Sequence, residues 1–173
     1  MKLLFLYIST ILISATSGDF YDIKFETIEG SIIKTSAYQG KKIVVAVVSG
    51  NTAGVALVRY LDSVQKETAN LQVIAIPTDD FDGSISTQDL KELKKNISIV
   101  VTRPLKVKKA NASLQHPLFQ WLTLVQQNQH FDHDVEAEGQ VFVVSAKGTL
   151  YSVLPKDTPA KVLLMVINEP FKE

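Results

Sequence analysis

Residues 43–48 have the sequence IVVAVV, an unbroken run of six apolar side chains, four of them valine. A run of this kind is typical of a strand covered on both faces, because a half-exposed strand alternates apolar and polar residues. β-Branched side chains also favour the pleated backbone. The run therefore predicts the central strand of a sheet that is buried between two layers.

The residues that follow predict a strand–helix–strand unit. Asn51–Gly54 has the composition of a turn, and from Val55 to about Thr68 the apolar residues recur at helical spacing. Leu71–Ile76 is a second apolar run with the length of a strand. A helix between two buried strands is typical of a right-handed parallel crossover, so the predicted fold class is α/β.

Two hairpins are predicted, one on each side of this unit. Tyr21–Glu26 and Ser31–Thr35 flank a turn-favouring glutamate–glycine pair, and their alternating pattern indicates two short antiparallel strands. Val141–Val144 and Thr149–Leu154 flank a lysine–glycine turn in the same way.

Three further helices and one short strand complete the predicted elements. Ser86 can cap a helix through about Lys95, and Ile97–Val101 is a short extended piece. A helix is predicted from about Leu114 to Gln127, with Trp121 in the core or in a groove. Pro159 is expected at the start of a last helix, where its missing amide costs nothing.

Composition excludes several classes of partner and of chemistry. The 173 residues contain 18 lysines and arginines and 18 aspartates and glutamates, so the formal net charge at pH 7 is zero. Such a chain has no net field that attracts nucleic acid or an anionic membrane, and we expect neither as a partner. Cysteine is absent, which removes disulfides, thiolate metal ligands and any thiol nucleophile at once.

Residues 1–17 have the pattern of a signal peptide. Lys2 precedes the apolar run Leu3–Ile13, and Ala15 and Ser17 place small residues before a cleavage site. An uncleaved anchor is the alternative, but this run falls short of the roughly 20 residues that span a bilayer. We expect cleavage after Ser17, no stable membrane span afterwards, and residues 18–173 forming one domain in the periplasm or outside the cell.

Five groups of residues between Phe20 and Ile167 form an ordered set of motifs. They are Phe20–Ile23 with Ile28–Gly30, Tyr38–Lys41, Pro77 with Phe81 and Gly83, His116–Leu122, and Phe142–Val144 with Lys147-Gly148. In this order they resemble the motifs of the glutathione peroxidase family. The resemblance implies a thioredoxin-like fold of glutathione peroxidase type, with a central mixed sheet, helices on both of its faces and an N-terminal β-hairpin.

The resemblance also implies an active site whose reactive groups this chain lacks. Members of the family attack peroxide with a cysteine or selenocysteine at the start of the first helix, activated by glutamine, tryptophan and asparagine side chains. These positions fall on Asn51 or Thr52, on or beside Asp80, on about Ala137 and on about Glu138. Neither Asn51 nor Thr52 can cycle through a sulfenic acid. The resemblance therefore predicts a pseudoenzyme without a cofactor that binds an unknown protein or small molecule.

Two enzymatic alternatives stay open. One is a peroxidase-family oxidoreductase of the oxidative-stress response, which rests on homology alone. The other is a metal-dependent or acid–base enzyme that uses Asp80, Glu138 and a histidine in an acidic pocket. For Asn51 and Thr52, the alternative to a place in a ligand pocket is capping of the free amides of the helix.

An acidic loop is the first candidate metal site. Asp79, Asp80 and Asp82 would border the pocket on one side, and Glu136 and Glu138 would approach from the other. Carboxylates that converge on one pocket repel each other, which favours a hard cation or a raised pKa. A solvated acidic turn is the alternative interpretation, because aspartate and glycine are ordinary turn residues.

A histidine pair is the second candidate metal site. His130 and His133 lie three residues apart, with Asp132 and Asp134 beside them, and such a group could bind zinc. The sequence shows no third ligand with suitable spacing, so a polar loop is the alternative.

Overall fold

A five-stranded mixed sheet organises the part of the chain that a computed structural model describes, residues 19–81 and 86–170. The predicted signal peptide and Asp82 lie outside the described residues. The strands are β1 (Lys24–Glu26), β2 (Ile32–Lys34), β3 (Lys42–Val48), β4 (Leu71–Pro77), β5 (Val100–Val101), β6 (Val141–Val144) and β7 (Leu150–Leu154). The helices are α1 (Thr52–Glu67), α2 (Thr87–Lys94), α3 (Pro117–Thr123), α4 (Val125–Asn128) and α5 (Ala160–Asn168).

The apolar run of the sequence forms β3, the middle strand of the order β5-β4-β3-β6-β7. It pairs in parallel with β4 from Lys42↔Leu71 to Val48↔Pro77, and antiparallel with β6. Residues 43–47 are fully buried. The prediction of a central strand, followed by a helix and a parallel strand, is confirmed.

The two faces of the sheet carry different helices. Alternate side chains of β3 point to opposite faces. On one face Ile43, Val45 and Val47 belong to a core that includes α3 and the N-terminal aromatic residues. On the other face Val44, Ala46 and Val48 belong to a core with α1, α2 and α5. The predicted α/β class, with helices on both faces of a mixed sheet, is confirmed.

The N-terminal hairpin covers one edge of the sheet. β1 and β2 pair antiparallel, with Lys24 opposite Lys34, as the sequence predicts. The hairpin reaches β5 through two backbone bonds, from the Ile28 amide to the Val101 carbonyl at 2.9 Å and from the Arg103 amide to the Glu26 carbonyl at 3.0 Å. The short edge strand β5 is therefore protected from a further partner.

The predicted helix from Leu114 to Gln127 is wrong as a single element. Residues 109–114 are a 3₁₀ segment, and α3 begins only at Pro117 because His116 is its N-cap, with Nδ1 accepting from the Leu118 amide at 3.2 Å. Burial lowers the pKa of His116, which favours the neutral imidazole that can accept this bond. Leu124 has an extended backbone and separates α3 from α4. Trp121 is buried in the core, as predicted.

The last helix is joined to the central strand by a lysine. The Nζ atom of Lys42 donates to the carbonyl oxygens of Ile167 and Glu169, and it lies 5.4 Å from the centre of the Tyr151 ring. A cation at the C-terminal end of a helix is favourable because the free carbonyls there carry partial negative charge. Burial lowers the pKa of Lys42, and Glu169 opposes that shift. Lys42 thereby fixes the end of α5 beside the start of β3.

A buried carboxylate connects α1 to the chain that precedes β5. Asp62 Oδ1 accepts from the Ser98 amide at 2.6 Å and from the Ser98 hydroxyl at 2.7 Å, and Asp62 Oδ2 accepts from Lys66 Nζ at 2.6 Å. Burial acts to raise the pKa of Asp62, but the hydrogen bonds from Lys66 and Ser98 outweigh it and lower the pKa to about 2. The ionised form of Asp62 therefore stabilises the fold.

Replacing the Asp62 carboxylate is expected to make the free energy of unfolding depend less on pH. Because the folded pKa of Asp62 is depressed from 3.8 to about 2, its contribution is present above pH 3.8 and is lost as the pH falls towards 2. Asp62→Asn should lower the free energy of unfolding by about 2 kcal/mol at pH 7. Denaturant unfolding at several pH values measures this loss, which should shrink steadily below pH 4.

Glu92→Gln is the matched control, since it breaks an exposed pair with Lys95. It should change stability by less than about 0.5 kcal/mol at every pH. An Asp62→Asn loss of equal size at pH 7 and pH 2 would contradict the role given to the ionised carboxylate.

Candidate functional site

A cavity of about 460 Å³ opens where β3 ends and α1 begins. Of the positions that the resemblance assigns to the family active site, Asn51, Ala137 and Glu138 line it together. Thr52 and Asp80 are not among its lining residues. Among the described residues the lining consists of Ser49, Asn51, Ala53, Gly54, Leu57, Phe81, residues 136–139, Lys156 and Asp157.

Asn51 is the N-cap residue of α1. Its Oδ1 atom accepts from the Gly54 amide at 2.9 Å, and its backbone carbonyl accepts from the Val55 amide at 3.1 Å. Asparagine is among the preferred residues at this position because its short side chain satisfies an amide that has no partner within the helix. The side chain of Asn51 is thus engaged in a structural bond, while Thr52 beside it is exposed.

Gly54 sets the distance between α1 and the end of β3. A Cβ atom built on Gly54 would lie 2.3 Å from the Ser49 carbonyl oxygen and 2.7 Å from its hydroxyl oxygen, closer than real Cβ contacts allow. Ser49 is itself buried, so it has little room to move. Sequence reasoning placed Gly54 in a turn and gave no sign of this contact, which joins two elements across the junction.

Asp80 is turned towards the segment that precedes α3. Its Oδ2 atom accepts from the Val107 amide at 2.6 Å, from the Lys108 amide at 3.0 Å and from Asn111 Nδ2 at 2.6 Å. Burial acts to raise the pKa of Asp80, but these bonds and one from Lys106 outweigh it and lower the pKa. The ionised carboxylate of Asp80 therefore holds residues 106–111 in place.

Lys106 lies between the two carboxylates of the acidic loop. Its Nζ atom is 2.9 Å from Asp79 Oδ1 and 3.2 Å from Asp80 Oδ1. Hydrogen bonds to these carboxylates raise the pKa of Lys106. Asp79 and Asp80 thus share a cation supplied by the chain, whereas Glu136 and Glu138 line the cavity with Lys156.

The two histidines line different cavities. His130 borders a cavity of about 290 Å³ with Trp121, and His133 borders one of about 280 Å³ with Glu136. Their neighbouring carboxylates have other contacts, since Asp132 pairs with Lys109 Nζ and Asp134 accepts from the Lys109 amide. Within residues 19–81 and 86–170 there is no group of three or more histidine, aspartate or glutamate side chains placed to hold a metal ion.

The sheet order, the helices on both faces and the cavity at the start of α1 together define a thioredoxin-like fold. No model of a known protein family matches the sequence, and no curated protein matches it. Solved structures do match. Trgpx in its apo form superposes with a TM-score of 0.65 at 19% identity, over 87% of this chain and 93% of that one.

Two further solved structures also superpose on this chain. GPX1 of T. cruzi superposes with a TM-score of 0.65 at 13% identity, over 87% of this chain and 94% of that one. The pneumococcal exposed lipoprotein thioredoxin Etrx1, from Streptococcus pneumoniae strain TIGR4, superposes with a TM-score of 0.53 at 17% identity. The match covers 84% of this chain and 97% of that one. The resemblance to glutathione peroxidases is thereby confirmed at the level of the fold.

The close approach of Gly54 to Ser49 beside the cavity leads to a prediction about stability. Gly54→Ala should push α1 away from Ser49 and lower the free energy of unfolding by about 1–3 kcal/mol, the usual cost of overpacking a buried site. Thermal or denaturant unfolding measures the loss. Thr52→Ala, an exposed position in the same turn, is the control and should cost much less. Equal stability of the two variants would show that the junction is not tight.

Proposed function

We propose that this protein is a pseudoenzyme with the glutathione peroxidase fold, which binds a ligand at the cavity beside α1 instead of reducing peroxides. The observation that carries the proposal is Asn51. The resemblance places the family nucleophile at Asn51 or Thr52, and the Asn51 side chain caps the helix by accepting from the Gly54 amide at 2.9 Å.

Peroxide reduction by this fold needs a group that can be oxidised and then regenerated. A thiolate attacks the peroxide and becomes a sulfenic acid, which thiols reduce again. A carboxamide has no such cycle, and the chain contains no cysteine elsewhere that could substitute. Ala137 also has no polar side chain with which to activate a peroxide in the cavity.

The cavity has the size and lining of a binding site. A volume of about 460 Å³ is within the range of small-molecule pockets. Leu57 and Phe81 supply apolar surface, while Glu136, Lys156 and Asp157 supply charges of both signs. These features suit a small polar molecule or a side chain of a protein partner, and they define the interaction module that we propose.

An assay with hydrogen peroxide and reduced glutathione or thioredoxin tests the loss of activity. We expect no thiol-dependent turnover above the uncatalysed rate. Met165 is 62% exposed and can consume peroxide once, by forming the sulfoxide, so only multiple turnovers count as activity. Met165→Leu is the control that removes this stoichiometric reaction.

Turnover that depends on thiols and survives a chelator would overturn the pseudoenzyme proposal in favour of a peroxidase. Activity that a chelator abolishes would instead support a metal-dependent enzyme. The variant Asn51→Cys is a positive control, because it places a thiol at the N-terminus of α1. A thiol at the start of α1 should form a sulfenic acid faster than one at Ser63→Cys, an exposed position within the helix, because a helix N-terminus lowers a thiol pKa.

We also propose that the protein is exported. Residues 1–17 have signal-peptide composition, and no cysteine follows them that could carry a lipid. Within the described residues no helix is both long and apolar enough to cross a bilayer. Mass spectrometry of the protein recovered from the host should find Gly18 as the first residue, in the periplasm or the medium. Recovery of the intact N-terminus from the cytosol would contradict this proposal.

A further inference from the structure

One wall of the cavity beside α1 is formed by a long loop. Residues 129–140 connect α4 to β6 without a helix or strand of their own. Loops of about 12 residues or more without secondary structure are uncommon in compact domains, and many of them carry function. This loop supplies residues 136–139 of the cavity lining.

Two buried carboxamides hold the loop in place. Asn128 Oδ1 accepts from the Phe131 amide at 2.7 Å. Gln140 Oε1 accepts from the Glu136 amide at 2.9 Å, and Gln140 Nε2 donates to the Asp134 carbonyl at 3.3 Å. Asn128 and Gln140 are both buried. The wall is therefore fixed before a ligand arrives, which lowers the entropic cost of binding.

Glu136 in this loop lies between two cavities. It lines the larger cavity, of about 460 Å³ beside α1, and also a smaller cavity of about 280 Å³. The smaller cavity is further lined by Phe131, His133, Gln140, Val153 and Pro155. Phe131 and Val153 are only partly buried against the core, and Pro155 is exposed. An apolar surface thus adjoins the charged cavity, with Glu136 at the boundary.

Carboxylates outnumber cations in the larger cavity. The charged residues of its lining are Glu136, Glu138, Lys156 and Asp157. The Nζ atom of Lys108 lies 4.1 Å from the centre of the Phe81 ring, which also lines the cavity, and with this second cation the carboxylates are still in excess. Within the part of the chain that the structure describes, neither Glu136 nor Asp157 forms an ion pair. Their charge is therefore available to a cationic ligand.

We propose that the two cavities form one groove, and that its ligand is an extended segment of another protein with an arginine or lysine two residues from an apolar residue. Side chains two residues apart in an extended segment point the same way, so both can enter the groove. The apolar side chain packs on Phe131 and Val153, and the basic side chain reaches Glu136 and Asp157. The identity of this ligand rests on the binding function proposed for the larger cavity.

Size and charge favour such a segment over other ligands. The two cavities have volumes of about 460 and 280 Å³, and a volume of about 300–1,000 Å³ accepts a drug-sized molecule. A simple amine therefore cannot fill both cavities, whereas two side chains of a peptide and the backbone between them can. An acidic segment would bring like charges towards Glu136 and Asp157, which is unfavourable.

Fluorescence anisotropy with labelled peptides tests this specificity. The probe is a glycine heptapeptide with phenylalanine and arginine at its third and fifth positions, made in both orders. At least one order should bind about tenfold more tightly than the same peptide with glutamate in place of arginine. It should also bind about tenfold more tightly than the peptide with alanine in place of phenylalanine. Unlabelled phenethylamine should compete only at a much higher concentration.

Variants of the chain separate the two contributions. Glu136→Lys should weaken binding of the arginine peptide by about tenfold and remove its advantage over the glutamate peptide. Glu67→Lys is the matched control, because it makes the same change of charge at an exposed position at the other end of α1 and should leave the affinity almost unchanged. Val153→Thr adds a hydroxyl to the apolar wall and should reduce only the preference for phenylalanine over alanine. Circular dichroism verifies that each variant is folded.

The proposal is overturned if none of the peptides binds, if the glutamate peptides bind as tightly as the arginine peptides, or if Glu136→Lys and Glu67→Lys have the same effect. Phenethylamine that competes as well as the unlabelled peptide would make the ligand a small amine and overturn it equally. Peroxide turnover judges the proposed function separately. A chain that binds no peptide and turns over no peroxide keeps the pseudoenzyme proposal and loses only this ligand.

Discussion

The burial of β3 on both faces is the constraint from which the rest of the structure follows. Its five fully buried residues expose no side to water, so the strand needs a neighbour on each edge and a helical layer above and below. β4 and β6 pair with the two edges of β3, and α1 and α3 belong to the helical layers on its two faces. Apolar burial is the main favourable term in folding, and residues 43–47, which supply it in β3, are not among the residues that line the cavity.

Because the buried residues of β3 and the lining of the cavity are separate, residues of the lining can differ while the fold is retained. Sites that hold reactive groups commonly cost stability, and replacing them with residues that suit the local backbone recovers some of it. Asn51 suits the local backbone, since its side chain caps α1 by accepting from the Gly54 amide at 2.9 Å. Asp80 likewise contributes bonds to the backbone of Val107 and Lys108. At both positions the side chain now supports the surrounding chain.

The elements of the fold could be predicted because their signals are local. Unbroken apolar runs located β3 and β4, helical apolar spacing located α1, and Ser86 marked the start of α2 correctly. The break between α3 and α4 was missed, since apolar spacing continues through Leu124 although its backbone is extended. The acidic loop was visible in the sequence, but the direction of its side chains was not, because the hydrogen-bond partners of Asp80 Oδ2 lie 27 to 31 residues further along the chain.

The bond from Lys42 to the end of α5 connects residues 125 positions apart. The face of the sheet that carries α5 stays open until almost the whole polypeptide has been synthesised, so docking of this helix must be a late event. Contacts between such distant residues slow folding. The core that α5 completes with α1 and α2 therefore forms only once Leu163 and Ile167 have been synthesised.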